Sequence, residues 1–185
     1  ADGEVEFLGR IDTQVKLRGY RIELTEIESV LLESSAIAQA VVDVWESEPG
    51  TKELVAYVSL NKGVSELCQQ EIGELLRARL PAYMVPSYLE QLPVIPMTVN
   101  DKADRKKLPA PKGPRFTVIT SNYAAPENET EKAVAEELCA VLNIERASID
   151  DHFFQDLGGH SLLMARLCTA LRRRLSLADV SMRDV

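Results

Sequence analysis

Apolar and polar residues alternate through VEFLGR (5–10) and QVKLRGYRIEL (14–24), where Val5 and Phe7, then Val15 and Leu17, share one side of an extended chain. Period two predicts a pair of strands, separated at Ile11-Asp12-Thr13. The pattern then lengthens to the helical period. Ile27, Val30 and Leu31 form a stripe, with Thr25 placed to cap the helix and Glu28 three residues on, as in a capping box. AVVDVW (40–45) and ELVAYVSL (53–60) read as strands around the turn signal Glu48-Pro49-Gly50. Ile72, Leu75, Leu76 and Leu80 predict a second helix, ended by Pro81.

From about Pro109 this periodicity fails. LPAPKGPRFTVITSNYAAPEN has four prolines and reads as a semi-extended linker. Beyond it everything is helical, with Val134, Leu138, Val141 and Leu142 on one stripe and Met164, Leu167, Cys168, Leu171 and Leu175 on another. The expected architecture is therefore a small α+β unit with a hairpin and a mixed sheet, a linker, and an all-α unit.

Composition narrows the class. With 185 residues, 45% of them hydrophobic, the chain can build packed cores without staples. Cys68, Cys139 and Cys168 are widely spaced and show no C-x-x-C pattern, so they read as free thiols in a reducing compartment, and no metal site is expected. A net charge of -8 argues against nonspecific nucleic-acid binding. No apolar run reaches the roughly 20 residues of a membrane span. The first residues lack the regions of a signal peptide, which makes the cytoplasm the expected compartment.

Candidate chemistry concentrates in LGGHSLL (157–163). Ser161 has three readings from its surroundings. It can cap the helix that follows. It can act as an acyl-transfer nucleophile with His160 as base, although the elbow pattern wants glycine where Leu163 stands, and neighbouring helical side chains diverge. It can also carry a phosphate ester, favoured by the positive end of a helix dipole. Local chemistry leaves these open.

A wider match bears on the choice. DDHFFQDLGGHSLLMARL (150–167) resembles the core of the peptidyl carrier domain of nonribosomal peptide synthetases, and DGEVEFLGRIDTQVKLRGYRIELTEIE with VNDKADRKKLP resembles the last two signature motifs of amino-acid adenylation domains. This resemblance implies that residues 1–111 are the C-terminal subdomain of an adenylation domain, 112–126 a linker, and 127–185 a carrier whose bundle lacks its last helix. Ser161 would hold 4'-phosphopantetheine. Lys102 would contact the amino-acid carboxylate and the ATP phosphates during adenylation, with Mg2+ present. Arg10 would touch the nucleotide ribose, Asp12 would be the hinge between adenylating and thioester-forming poses, and Gly19 would line the pantetheine path. LPAP (108–111) is similar to the linker motif that docks back on this subdomain. The usual N-G-K is here Asn100-Asp101-Lys102, and aspartate tolerates the same left-handed turn. Expected partners are the large adenylation subdomain, a phosphopantetheinyl transferase and a condensation or other downstream domain. Without the large subdomain the chain is expected to be inactive alone as an ATP-dependent ligase. The competing expectations are a non-catalytic docking module, with Ser161 unmodified, and an acyl carrier of the fatty-acid or polyketide type. The latter usually shows D-S-L, where this chain has His160 before the serine.

Overall fold

β1 (Gln14–Leu17) and β2 (Tyr20–Glu23) form an antiparallel hairpin with Leu17 opposite Tyr20. Its two-residue turn puts Arg18 at φ 51 and Gly19 at φ 85, the pair of positive angles that matches the twist of a tight hairpin. These and the following elements come from a computed structural model that describes residues 14–48, 50–116, 123–154 and 156–175. Arg10, Asp12 and the stretch where the carrier's last helix is at issue lie outside the described residues.

β2 leads without a loop into α1 (Leu24–Leu31), so the capping position falls on Glu23, not on Thr25. The expected capping box does not form. Glu28 instead turns its carboxylate to the Val42 N–H (2.8 Å) and to Arg105 Nη2 (2.8 Å), contacts that lie far off in sequence.

β3 (Ile37–Glu48) and β4 (Thr51–Leu60) are an antiparallel pair longer than their apolar cores suggest, and β5 (Tyr88–Gln91) adds to β4 in parallel. β4 is thus the central strand. One face carries Val42, Leu54, Ala56 and Val58 against α1 and α2 (Gln69–Arg79), whose Ile27, Leu31, Ile72 and Leu76 are fully buried. The opposite face carries Val41, Val55 and Tyr57 against Tyr88 and Ile95. Burial on both sides explains why β4 is almost continuously inaccessible where a one-faced strand would alternate. Each of those buried valine, leucine and isoleucine side chains contributes roughly 1.5–3 kcal/mol.

The second unit pairs α3 (Glu129–Leu142) with α4 (Ser161–Leu175) around a separate core of Leu142, Phe153, Leu163, Met164, Leu167 and Leu171. Asn128 caps α3 by accepting from Glu131 N (2.9 Å), and Asn143 ends it in the left-handed region.

Part of the connection read as a semi-extended linker is pinned to the first unit, from the LPAP stretch onward. Tyr57 Oη donates to Pro109 O (2.6 Å), the Lys112 and Gly113 N–H groups donate to Glu90, and Phe116 inserts into the first core. Burial, with Asp43 and Glu90 nearby, pushes the Tyr57 hydroxyl up to about 12, which keeps it a donor to the Pro109 carbonyl.

Candidate functional site

The loop before α4 is built by its glycines. Gly158 sits at φ 63, a conformation that side chains resist, while a Cβ at Gly159 would overlap the buried Phe153 ring. The Gly159 N–H donates to Phe153 O (2.8 Å), so the chain turns tightly over that ring. The first helical carbonyl acceptor is His160 O, from Met164 N–H (2.9 Å), and Ser161 is the first residue of the helix proper. The capping position is therefore His160. Ser161 is exposed, and among the described residues nothing holds its hydroxyl. Leu163 and Met164 point into the core, whereas Leu162 is 44% exposed.

His160 does not face Ser161 as a base would. Its Nε2 lies 3.6 Å from Glu53 Oε1, too long for a hydrogen bond, and is the buried side-chain nitrogen without a hydrogen-bond partner among the described residues. Glu53, on β4 and 3% exposed, also meets Arg18 Nη2 at 3.6 Å and is hydrogen-bonded by Arg115 Nη2. Burial would raise the Glu53 carboxyl. His160 and the Arg115 and Arg18 guanidinium groups outweigh it and hold the group down at about 2. Arg18 is itself lowered, by burial first, with Glu53 opposing. Arg115 also donates to Leu142 O (3.2 Å) and Gly158 O (3.3 Å) and lies over the Tyr88 ring.

A cleft of about 400 Å3 opens beside this cluster. Arg18, Tyr20 and Tyr83 line one wall and Phe154, Gly159 and Ser161 the other. The Tyr20 and Tyr83 rings stack at 4.1 Å. The hairpin tip and the serine are thereby brought together. At Gly19 an added Cβ would meet no protein atom, so what the fold requires of that glycine is its positive φ.

Lys102 is not among the residues that line this cleft. It ends a tight loop closed by Thr98 N–H to Lys102 O (2.7 Å) and Lys102 N–H to Thr98 Oγ1 (3.3 Å), beside a Met97–Ala103 bridge. Asp101 occupies φ 54, in the left-handed region that aspartate tolerates. Lys102 is exposed, and no ion pair restrains it among the described residues. Arg105, on the next turn, donates to Val42 O (3.3 Å) and to Glu28, which fastens the end of the lysine loop to the sheet.

Sequence reasoning missed Glu53 and Arg115. The only signal was a carboxylate entering an otherwise apolar strand and an arginine between a proline and a phenylalanine.

Residues 26–102 match the AMP-binding enzyme C-terminal domain, and residues 132–185 match the phosphopantetheine attachment site. Over 98% of its length the chain is 45% identical to tyrocidine synthase 2 of Brevibacillus parabrevis. The chain belongs to the nonribosomal peptide synthetases. Bacitracin synthase 2 of Bacillus licheniformis is 42% identical over 97% of the chain. This synthetase chain spans 5% of the tyrocidine synthase and 7% of the bacitracin synthase. A crystal structure of a holo four-domain nonribosomal peptide synthetase bound to AMP and glycine is 40% identical, with a TM-score of 0.54, over 94% of this chain and 12% of that one. The α+β unit is accordingly an adenylation C-terminal subdomain and the helical unit a carrier. The attachment-site family implies 4'-phosphopantetheine on the carrier, and the AMP-binding family implies ATP with Mg2+ when a large adenylation subdomain completes the site. An exposed, unengaged serine hydroxyl at a helix N-terminus, beside a cleft that carries Arg18, fits a phosphodiester. No described helix is long and apolar enough to cross a membrane.

Proposed function

We propose that Ser161 carries 4'-phosphopantetheine and that the chain serves one module of peptide assembly in the cytoplasm. The bound arm supplies a thiol that holds aminoacyl or peptidyl groups as thioesters. The observation that carries this reading is the exposed, unengaged Ser161 hydroxyl at the start of α4, facing the hairpin of the adenylation subdomain across a shared cleft. His160 Nε2 is buried and lies toward Glu53 (3.6 Å), which speaks against a serine–histidine hydrolase pair. In this reading residues 1–111 are the mobile adenylation subdomain, 112–126 the linker and 127–185 the carrier. A phosphopantetheinyl transferase modifies Ser161, the large adenylation subdomain binds the nucleotide and amino acid, and a condensation or other downstream domain receives the loaded arm.

Lys102 supplies the mobile cation that stabilises charge at the reacting phosphoryl group, a role suited to a flexible, unpaired ammonium. Arg10 contacts the ribose, Asp12 is the hinge, and Gly19 gives the tight turn beside the arm's path. Incubation with coenzyme A and a transferase should add roughly 340 Da to the intact chain, and the gain should vanish in Ser161→Ala. An unmodified wild type would overturn the assignment. With a matched large subdomain, Lys102→Ala should lower adenylate formation about 100-fold or more, read by pyrophosphate release. Undiminished release would remove the lysine from this role.

A further inference from the structure

Three basic groups from three separate segments meet on one buried carboxylate. Arg18 comes from the hairpin tip, Arg115 from the linker and His160 from the serine loop, and all converge on Glu53 Oε1 of the central strand. We propose that Glu53 is the docking hub that seats the carrier on the adenylation subdomain, with Arg115 as its positioning partner.

The contacts divide in a way that supports this. Glu53 belongs wholly to the subdomain sheet, paired with Trp45. Arg115 reaches the other way, since its guanidinium donates to Leu142 O and Gly158 O and its N–H donates to Asn143 O (2.8 Å), all in the carrier. The next residue reverses direction again. Phe116 N–H donates to Ser87 O (2.8 Å), and its ring sits in the subdomain core. Two successive residues of the linker therefore join both bodies. Gly158 and His160 lie on either side of Gly159, so the hub grips the turn that sets the position of Ser161.

A second contact, Arg77 to Asp156, bridges the same two units with Nη2 to the Asp156 carbonyl (2.6 Å) and Nη1 to its carboxylate (3.3 Å). Both side chains there are about a quarter exposed, against 3% for Glu53 and Arg115, so water screens this pair more than it screens the hub. The hub is different in kind. Burying the Glu53–Arg115 pair costs desolvation that nearly offsets its attraction, but removing one partner leaves a buried charge uncompensated. Such a pair selects a geometry without holding it irreversibly. That suits a carrier that must dock and leave.

Docking through Glu53 does not require modification of Ser161, and the unmodified chain tests it. Backbone 15N relaxation of the uniformly labelled chain reports whether the two units tumble together. The wild type should show one correlation time for both. Glu53→Gln and Arg115→Gln should each lose that shared tumbling, with the carrier relaxing as a separate, smaller body, while the amide dispersion of both units persists. Arg77→Gln should keep it. The same pattern in a Ser161→Ala background separates the hub from any role of the serine. Arg115 comes from the linker, whereas Glu53 stands on the central strand, so its variant decides the matter even where Glu53→Gln unfolds the subdomain. A folded Arg115→Gln chain that tumbles as one body, or a wild type that already tumbles as two, would overturn the proposal. Loss confined to Arg77→Gln would overturn it as well.

Discussion

At the level of single residues, the serine loop shows two glycines doing different things. Gly158 supplies a backbone angle, and Gly159 supplies space that the Phe153 ring fills. Gly159→Ala should therefore destabilise the carrier by about 1–3 kcal/mol, the range for forcing an extra group into a packed core, as read from its urea transition. An unchanged midpoint would mean that the ring has room to move. The loops that carry Ser161 and Lys102 were legible in the sequence because their motifs are local: the residues that shape each loop lie within a few positions of it. Glu53 and Arg115 were not legible, since they stand 62 positions apart and neither has a local partner that marks it as buried. His160 occupies a middle case. Its place beside Ser161 was visible, but the direction of its ring, toward Glu53, depends on a strand from the other unit.

Among the elements, β3, β4 and the helices followed from period two and period 3.6. The stretch 14–24 read as one strand is instead the β1–β2 hairpin, because Arg18 and Gly19 take positive φ, and the strand expected over 5–10 lies outside the described residues. β5 is four residues long, YLEQ, and its polar half hides it; it exists because β4 offers a free edge for parallel pairing. The capping box at α1 failed because Glu28 is drawn to the β3 backbone and to Arg105. This clamp joins α1, the sheet and the turn that follows Lys102. Glu28→Ala should leave the Val42 N–H and Arg105 without their acceptor and lower subdomain stability by about 1–3 kcal/mol in chemical denaturation. A change within a few tenths would show that water replaces the carboxylate there. Arg105→Lys should not restore the clamp, because one ammonium cannot reproduce the two directions in which this guanidinium donates.

For the molecule as a whole, two cores with separate memberships were expected from the break in periodicity near Pro109, and the structure has them. How the cores sit together was not expected, since it rests on charges converging across the linker rather than on any apolar pattern. The hub makes this arrangement sensitive to acid. Glu53 titrates near 4.3 in an unfolded chain but is held at about 2 beside His160, Arg115, Arg18 and the Tyr88 hydroxyl. A depressed carboxyl stabilises the folded, docked form above its unfolded value, and that contribution disappears as pH falls from about 4.3 toward about 2. The difference in urea midpoint between wild type and Glu53→Gln should be full at neutral pH and narrow through that acid window, because glutamine does not titrate. A constant difference would mean that packing, not charge, sets the effect. The proposed function rests above all on the chemistry of one hydroxyl, and fragment-ion mapping of the peptide spanning 157–163, after treatment with coenzyme A and a transferase, tests it most directly. All of the added mass should lie on Ser161; an unmodified peptide, or mass placed on another residue, would contradict it.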